Sequence, residues 1–344
     1  MLTEWQTFLQ SQGAHIENNN VLDFGEPAQE ATVAIDGNII TDLSFLSVIK
    51  VTGTDATSFL HGQFSSDIQN MPEGSVQLSA WCNPKGQVIL NFIITQLDDS
   101  FFLVCPEEMK EPFIKRLRMY VLRANVTIED CSMSLPCIGI KQADDEAVNS
   151  SSLNQITTTG TAVRIGNLIL LPIPHNNDRR LVIGPAKSLQ ETWSELSPEF
   201  TPVGSDYWRL FDILDGLPWV LATTTESFLP QLLNMDQLQA VSFNKGCFPG
   251  QEVVARLQHR GKVKQRLLIA TVENGTDITP GANIYQDGDG QSAGTIINIA
   301  NHPGEGLFAL VVLDIDHGSP NQLHLKNNNA RFIRISPPSY LMLP

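Results

Sequence analysis

Long hydrophobic runs are missing from this sequence. None of its 344 positions begins a stretch of about eighteen apolar residues, the length a bilayer-spanning helix needs, so no membrane partner is expected. Basic residues are scarce: 22 Lys and Arg stand against 37 Asp and Glu, for a net charge of −15. That balance argues against direct nucleic-acid binding, which requires Lys and Arg to neutralise phosphates. Cysteine is sparse and odd in number (Cys82, Cys105, Cys131, Cys137, Cys247), and none is spaced for zinc. The histidines are scattered, without a metal-spaced pair on a helix, so no metal site is expected. Free thiols fit a reducing compartment. The start, Met1-Leu2-Thr3-Glu4-Trp5, has neither the basic stretch nor the apolar core of a secretory signal, and cytoplasmic residence follows as the expectation. Gly281, Gly288, Gly290 and Gly294 read as hairpin turns, because no strand–glycine–helix unit surrounds them as a phosphate loop requires.

What is present is a globular composition, 42% hydrophobic, in a chain long enough for two or three domains. One stretch departs from the acidic background. Lys245-Gly246-Cys247-Phe248-Pro249-Gly250-Gln251-Glu252 sets a cysteine beside a lysine, between glycines. A basic run follows: Arg256, His259, Arg260, Lys262, Lys264 and Arg266. A thiol among positive charges is expected to be more reactive than a core cysteine. The basic run suits an anion, although a solvated helix face is the blander alternative.

Along the chain, Leu2, Trp5, Phe8 and Leu9 share a helical face that Gly13 ends. Residues 14–40 read as polar and turn-rich. Residues 48–51 read as a strand, and Thr54-Asp55 as the start of a short helix through Leu60. Residues 75–104 read as an antiparallel meander, turning at Asn83-Pro84-Lys85-Gly86. Residues 106–119 are the clearest helix, with Glu107 and Glu108 at its positive end and Lys115, Arg116 and Arg118 at its negative end. Helices are also expected at 187–196 and 206–214. Past 263, short β-rich runs (267–272, 294–299, 307–313, 330–335) read as a small barrel or sandwich. The pattern is α+β.

The octapeptide at 245–252 resembles the signature Lys-Gly-Cys-Tyr-x-Gly-Gln-Glu of YgfZ-type folate-binding proteins, relatives of the glycine-cleavage T-protein aminomethyltransferase. Other blocks carry the same resemblance: Val51-Thr52-Gly53-Thr54-Asp55-Ala56 with Phe59-Leu60-His61-Gly62-Gln63, Ala80-Trp81-Cys82-Asn83-Pro84-Lys85-Gly86, Glu226-Ser227-Phe228-Leu229-Pro230-Gln231, and Gly261-Lys262-Val263. The resemblance implies a three-domain aminomethyltransferase-like ring, with two antiparallel-sheet and helix domains and a C-terminal small β-barrel. The expected division is a folate-binding region at 1–245, made of two interleaved α+β domains (the second roughly 50–130), a cysteine-motif connector at 246–262, and the barrel at 263–344. The implied ligand is tetrahydrofolate or a one-carbon derivative. The implied role is support of iron–sulfur enzymes, including those that modify tRNA, with those enzymes as partners. A monomer is the family-like expectation.

Residue by residue, the resemblance makes Cys247 and Lys245 the reactive pair. It makes Trp208, Leu46, Asp215, Gln251, Glu252, Arg256 and Arg260 candidates for the folate. Departures matter as much. The T-protein's acidic pair falls on Leu90 and Asn91 here, and neither can supply a carboxylate. A classical aminomethyl transfer is therefore not expected, and a folate-dependent one-carbon transferase is kept as the alternative. The superfamily's pterin-clamping glutamate falls on Leu214, with Asp215 one place off. Phe248 replaces the signature tyrosine. A cysteine-nucleophile hydrolase lacks any histidine partner identifiable from sequence apart from His259. Cys82, beside the 83–86 turn, reads as an ordinary strand-end residue.

Overall fold

A computed structural model describes residues 3–143, 160–176, 178–273, 278–288, 292–316, 319–325 and 330–341. Its helices are α1 (Glu4–Ser11), α2 (Pro27–Ala34), α3 (Ala56–Gln63), α4 (Glu107–Arg118), α5 (Ala186–Leu196), α6 (Ser205–Leu214) and α7 (Gln251–Arg260). The chain forms two compact units that interleave in sequence. The first comprises Met1–Ala56, Asn70–Gln77 and Ile93–Trp208; the second comprises Thr57–Gln69, Leu78–Phe92 and Arg209–Pro344.

In the first unit a six-stranded sheet runs in the order Val163–Ile165, Leu168–Pro172, Arg179–Ile183, Cys137–Lys141, Ile39–Asp42, Thr201–Pro202. Its pairings are antiparallel except the last, which is parallel. Alternation along the strands sends Ile40, Ile138, Ile140, Leu170 and Val182 to one face, where they pack with Trp5 and Leu9 of α1 and Leu189 and Trp193 of α5. Trp5 meets Trp193 edge-on at 5.9 Å and donates its indole N–H to the buried Asp42 at 2.7 Å. The capping box at Thr3 and Gln6 starts α1.

The turn-rich expectation for 14–40 gives way to a hairpin (His15–Glu17 with Asn20–Asp23), α2 and an edge-proximal strand. Pro27 at the first position of α2 was its local signal. The buried Glu30 of α2 accepts N–H bonds from Phe24 and Gly204, tying the hairpin and the 204 turn to the helix.

The meander is part of a five-stranded sheet in the order Val76–Cys82, Val88–Leu97, Ser100–Pro106, Leu46–Thr52, Thr127–Asp130. Helix α4 covers the strands at 46–52, 100–106 and 127–130 with Met109, Phe113 and Leu117, all buried.

In the second unit the C-terminal run forms a six-stranded antiparallel sheet in the order Leu323–Leu325, Asn283–Gln286, Ser292–His302, Gly306–Asp314, Gln265–Val272, Phe332–Ser336. The sheet curls far enough that its two edges meet through a bridge between His324 and Arg331. Joining the edges removes the unpaired N–H and C=O rows of an open sheet. Its inner face holds Leu268, Ala270, Ile284, Ile296, Val311 and Phe332, among others.

Candidate functional site

The signature loop is fixed in the second unit by three unrelated devices. The first is Lys245. Its ammonium donates to the carbonyls of His61, Phe64 and Ser66, the last at 2.9 Å, so all three of its protons are used. These carbonyls belong to the C-terminal end of α3 and the residues just beyond it, where a cation meets the negative end of the helix dipole. Burial pushes Lys245 down to about 8 despite the opposing field of Asp67. Its ammonium also lies 5.4 Å from the Phe248 ring centroid, and Phe248 is buried.

The second device is a backbone-to-backbone contact between two glycines. Gly250 has φ 79° and Gly86 has φ 78°, both in the left-handed region. A Cβ on Gly250 would fall 2.4 Å from the Asn83 carbonyl oxygen and 2.5 Å from the Gly86 backbone. A Cβ on Gly86 would fall 3.2 Å from the Gly250 carbonyl oxygen. The Asn83-Pro84-Lys85-Gly86 turn therefore seats directly on the turn that opens α7. The two glycine positions in separate sequence blocks are one contact.

The third device is the 226–231 segment. Val88 and residues 226–228 exchange backbone hydrogen bonds, at 2.7 and 2.8 Å. Buried Gln231 donates to the Val254 carbonyl of α7 at 2.7 Å. Gln251 closes the loop by donating to the Lys245 carbonyl at 3.4 Å.

Held this way, the loop presents Cys247 to solvent. Cys82, Cys105 and Cys137 are buried, Cys131 is half-buried, and Cys247 is the exposed thiol of the set. Burial pushes Cys82 and Cys105 up to about 12, and Cys137 higher still, which keeps them inert. His61 was not singled out as a functional residue in the sequence, yet its ring lies on this loop. The nearest atom to a Cβ on Gly246 would be His61 Nε2, at 3.7 Å. His61 Nδ1 accepts from the Gln69 N–H at 3.2 Å, with Asp67 at 3.4 Å. Burial, and then Lys245, lower its pKa from the ordinary histidine value. No sequence signal could pair residues 61 and 246, which are distant in the chain.

The basic run divides. Arg266 is committed to structure: it binds Asp236 at 2.6 and 3.1 Å and the Gln231 carbonyl at 2.8 Å. Arg256, His259, Arg260, Lys262 and Lys264 are exposed. Glu252 is also exposed, on the first turn of α7.

The other candidates lie elsewhere. Leu46 is buried at the start of its strand in the first unit. Trp208 is 1% exposed; the Arg179 guanidinium sits 4.7 Å from its ring centroid, and its six-membered ring packs so closely on Gly139 that a Cβ there would fall 2.4 Å away. The indole is thus enclosed by its own unit. Leu214, 36% exposed, and the half-buried Asp215 end α6 and follow it in the second unit. Gly216, with φ 68°, is covered by Pro338, and the Tyr340 hydroxyl donates to its carbonyl at 2.7 Å.

Asn91, which the resemblance sets at the T-protein's acidic pair, is buried with both ends of its amide engaged. Its Nδ2 donates to the Pro218 carbonyl at 2.7 Å, and its Oδ1 accepts the Val220 N–H at 2.8 Å. The amide reads both polarities of the 218–220 backbone, as a neighbouring strand would. Leu90 beside it is also buried. Among the described residues, no group of three or more His, Cys, Asp or Glu is placed to hold a metal, and no helix is long and apolar enough to cross a membrane.

This fold is shared with a solved aminomethyltransferase. The glycine cleavage system aminomethyltransferase T from Bartonella henselae superposes with a TM-score of 0.76, covering 98% of this chain and 96% of that one at 14% identity. A model of the GCVT N-terminal domain matches residues 19–154. Along most of its length the chain is similar to proteins named tRNA-modifying protein YgfZ. It is 28% identical over 312 residues to the tRNA-modifying protein YgfZ of Blochmanniella pennsylvanica, covering 84% of this chain and 92% of that protein. It is 28% identical over 316 residues to that of Photobacterium profundum (89% and 92%), and 25% identical over 297 residues to one from Escherichia coli (84% and 89%).

Proposed function

We propose that the chain is a YgfZ-type, tetrahydrofolate-binding accessory protein that supports iron–sulfur enzymes, including tRNA-modifying ones, through the thiol of Cys247. The observation that carries this reading is the contrast at the signature loop: one exposed cysteine, presented by a lysine-anchored, glycine-locked turn, in a chain whose other thiols are buried or half-buried. The similarity to proteins named for tRNA modification supplies the biological direction.

The residues present fit a folate in part. Asp215 supplies a carboxylate for the pterin's N–H groups one place from the superfamily's usual position, and the exposed Leu214 supplies an apolar face. Arg256 and Arg260 are exposed cations suited to the carboxylates of the folate's glutamyl tail. Trp208, enclosed by Gly139 and Arg179, shapes its surroundings more than it offers an open face. When bound, a reduced folate supplies or accepts a one-carbon unit. The chain's own part is to hold it and to present the Cys247 sulfur. Aminomethyl transfer is disfavoured, because Asn91 is neutral and already bonded to the 218–220 backbone.

The direct test is a titration of the purified protein with tetrahydrofolate and its 5-formyl form, following tryptophan fluorescence and heat together. Saturable micromolar binding supports the reading. No binding up to millimolar ligand removes folate from it and leaves the thiol loop as the remaining site.

A further inference from the structure

The turn that follows α4 in the first unit displays apolar side chains to water. Leu122 is 88% exposed, Met119 64% and Tyr120 44%. Leu122 also has φ 48°, in the left-handed region where a Cβ crowds the backbone. It is the first central residue of a turn closed by the Ala124 N–H donating to the Val121 carbonyl at 2.8 Å. At such a position with positive φ, glycine is the ordinary choice. The backbone strain works against the folded state, and at 88% exposure the side chain buries too little within the unit to offset it. Strain of this kind persists where the displayed residue has a use.

The turn is also held in place. The N–H groups of Met119, Tyr120 and Val121 donate to the carbonyls of Arg116, Leu117 and Arg118, and the Arg118 guanidinium donates to the Ile128 carbonyl at 2.6 Å. Lys115, Arg116, Arg118 and Arg123 flank it in the sequence, and no Asp or Glu occurs from 112 to 128, in a chain of net charge −15. Asp55, a carboxylate beside the turn, is engaged by the Asn125 N–H at 2.7 Å. Exposed Met, Tyr and Leu flanked in sequence by Arg and Lys match the make-up of a protein–protein contact, with an apolar centre and a charged rim. Tyr120 alone offers a flat face on which a base could stack, and an RNA strand would gain nothing from Leu122 or Met119, the two most exposed side chains of the turn. An anionic bilayer would meet a strongly acidic body and only a small apolar patch.

We propose that the Met119–Arg123 turn is the docking surface for a partner protein offering an apolar pocket rimmed by carboxylates. This rests on the function proposed above, in which that partner is a client enzyme.

The test uses the full chain carrying a photo-crosslinking residue at Met119, in cells lacking the native copy, with modified tRNA nucleosides as the functional readout. Leu122→Asp and Arg123→Glu should each lower modification at least fivefold and abolish a salt-sensitive protein adduct, while folate binding and the alkylation rate of Cys247 stay unchanged. Leu122→Gly should raise Tm by about 1–3 °C, because glycine accepts the turn, and still lose the adduct. Wild-type modification by Leu122→Asp, an RNA adduct, or no adduct at all would overturn the docking surface. Cys247→Ser, run in parallel, separates the two ideas. If it abolishes modification while Leu122→Asp does not, the docking proposal alone fails. If both variants keep wild-type modification, the functional reading fails with it.

Discussion

Two stretches of the second unit, the 245–250 loop and the strand at Leu90–Asn91, treat their functional groups in opposite ways. The 245–250 loop is anchored at both ends and leaves its thiol in solvent. The strand at Leu90–Asn91 is buried, and its one polar side chain is spent on clamping residues 218–220. Both stretches are rigidly held, so rigidity alone does not mark a site. The difference is that the loop's hydrogen bonds come from Lys245, Gln251 and the backbone, leaving the Cys247 sulfur exposed, whereas Asn91 has both ends of its amide engaged. A group available for chemistry must be positioned by its neighbours and not consumed by them.

The largest expected effect comes from the sulfur itself. Cys247→Ser should abolish cellular tRNA modification while leaving Tm essentially unchanged, because an exposed thiol contributes little to packing. Full complementation by this variant would erase the contrast between the two stretches. Next comes the lock beneath the loop. Gly250→Ala forces a Cβ against the Asn83 carbonyl and the Gly86 backbone in a left-handed conformation, and should cost about 2–4 kcal/mol in urea unfolding. An unchanged midpoint would mean the two turns are not seated on each other.

Asn91→Asp would restore the acid but set its oxygen against the Pro218 carbonyl, now 2.7 Å from an N–H donor. A loss of about 2–4 kcal/mol is expected, with no aminomethyl transfer gained when a methylamine donor and tetrahydrofolate are supplied. Turnover by this variant would show that one residue separates the chain from a transferase.

A further effect is a pH dependence. Lys245 is held at about 8 in the folded chain against an ordinary 10.5. Between those values the unfolded chain binds more protons, so stability should rise with pH across that window. Lys245→Met should flatten this rise when Tm is followed from pH 7.5 to about 10.5. A difference between variant and wild type that does not vary with pH would mean that the three carbonyl bonds offset the burial of the ammonium.

Much of the fold was legible because it rests on local rules. The helix predicted at 106–119 appears as α4 at Glu107–Arg118, with its acids and bases at the expected ends. The expected strands at 267–272, 294–299 and 307–313 appear within Gln265–Val272, Ser292–His302 and Gly306–Asp314, and the one expected at 330–335 starts two residues later, as Phe332–Ser336. The short partners Asn283–Gln286 and Leu323–Leu325 were not foreseen, since each is too short to show a period. Helix α2 was missed because its periodicity is weak and its start lies in a polar stretch.

The sequence by itself determined which residues are unusual: a cysteine between glycines beside a lysine, an acid-poor basic run, and neutral side chains where a transferase carries acids. Local pattern and composition are enough for the first two, because they act between neighbours in the chain; the third is what the resemblance to the T-protein implies. Only the tertiary structure decided what those residues do. Lys245 meets the end of α3, Gly250 meets Gly86, Arg266 leaves the basic run to bind Asp236, and Trp208 is enclosed by Gly139 and Arg179. Each of these is a contact between residues far apart in sequence, set by how elements pack and by which polar groups are left to be satisfied once they do.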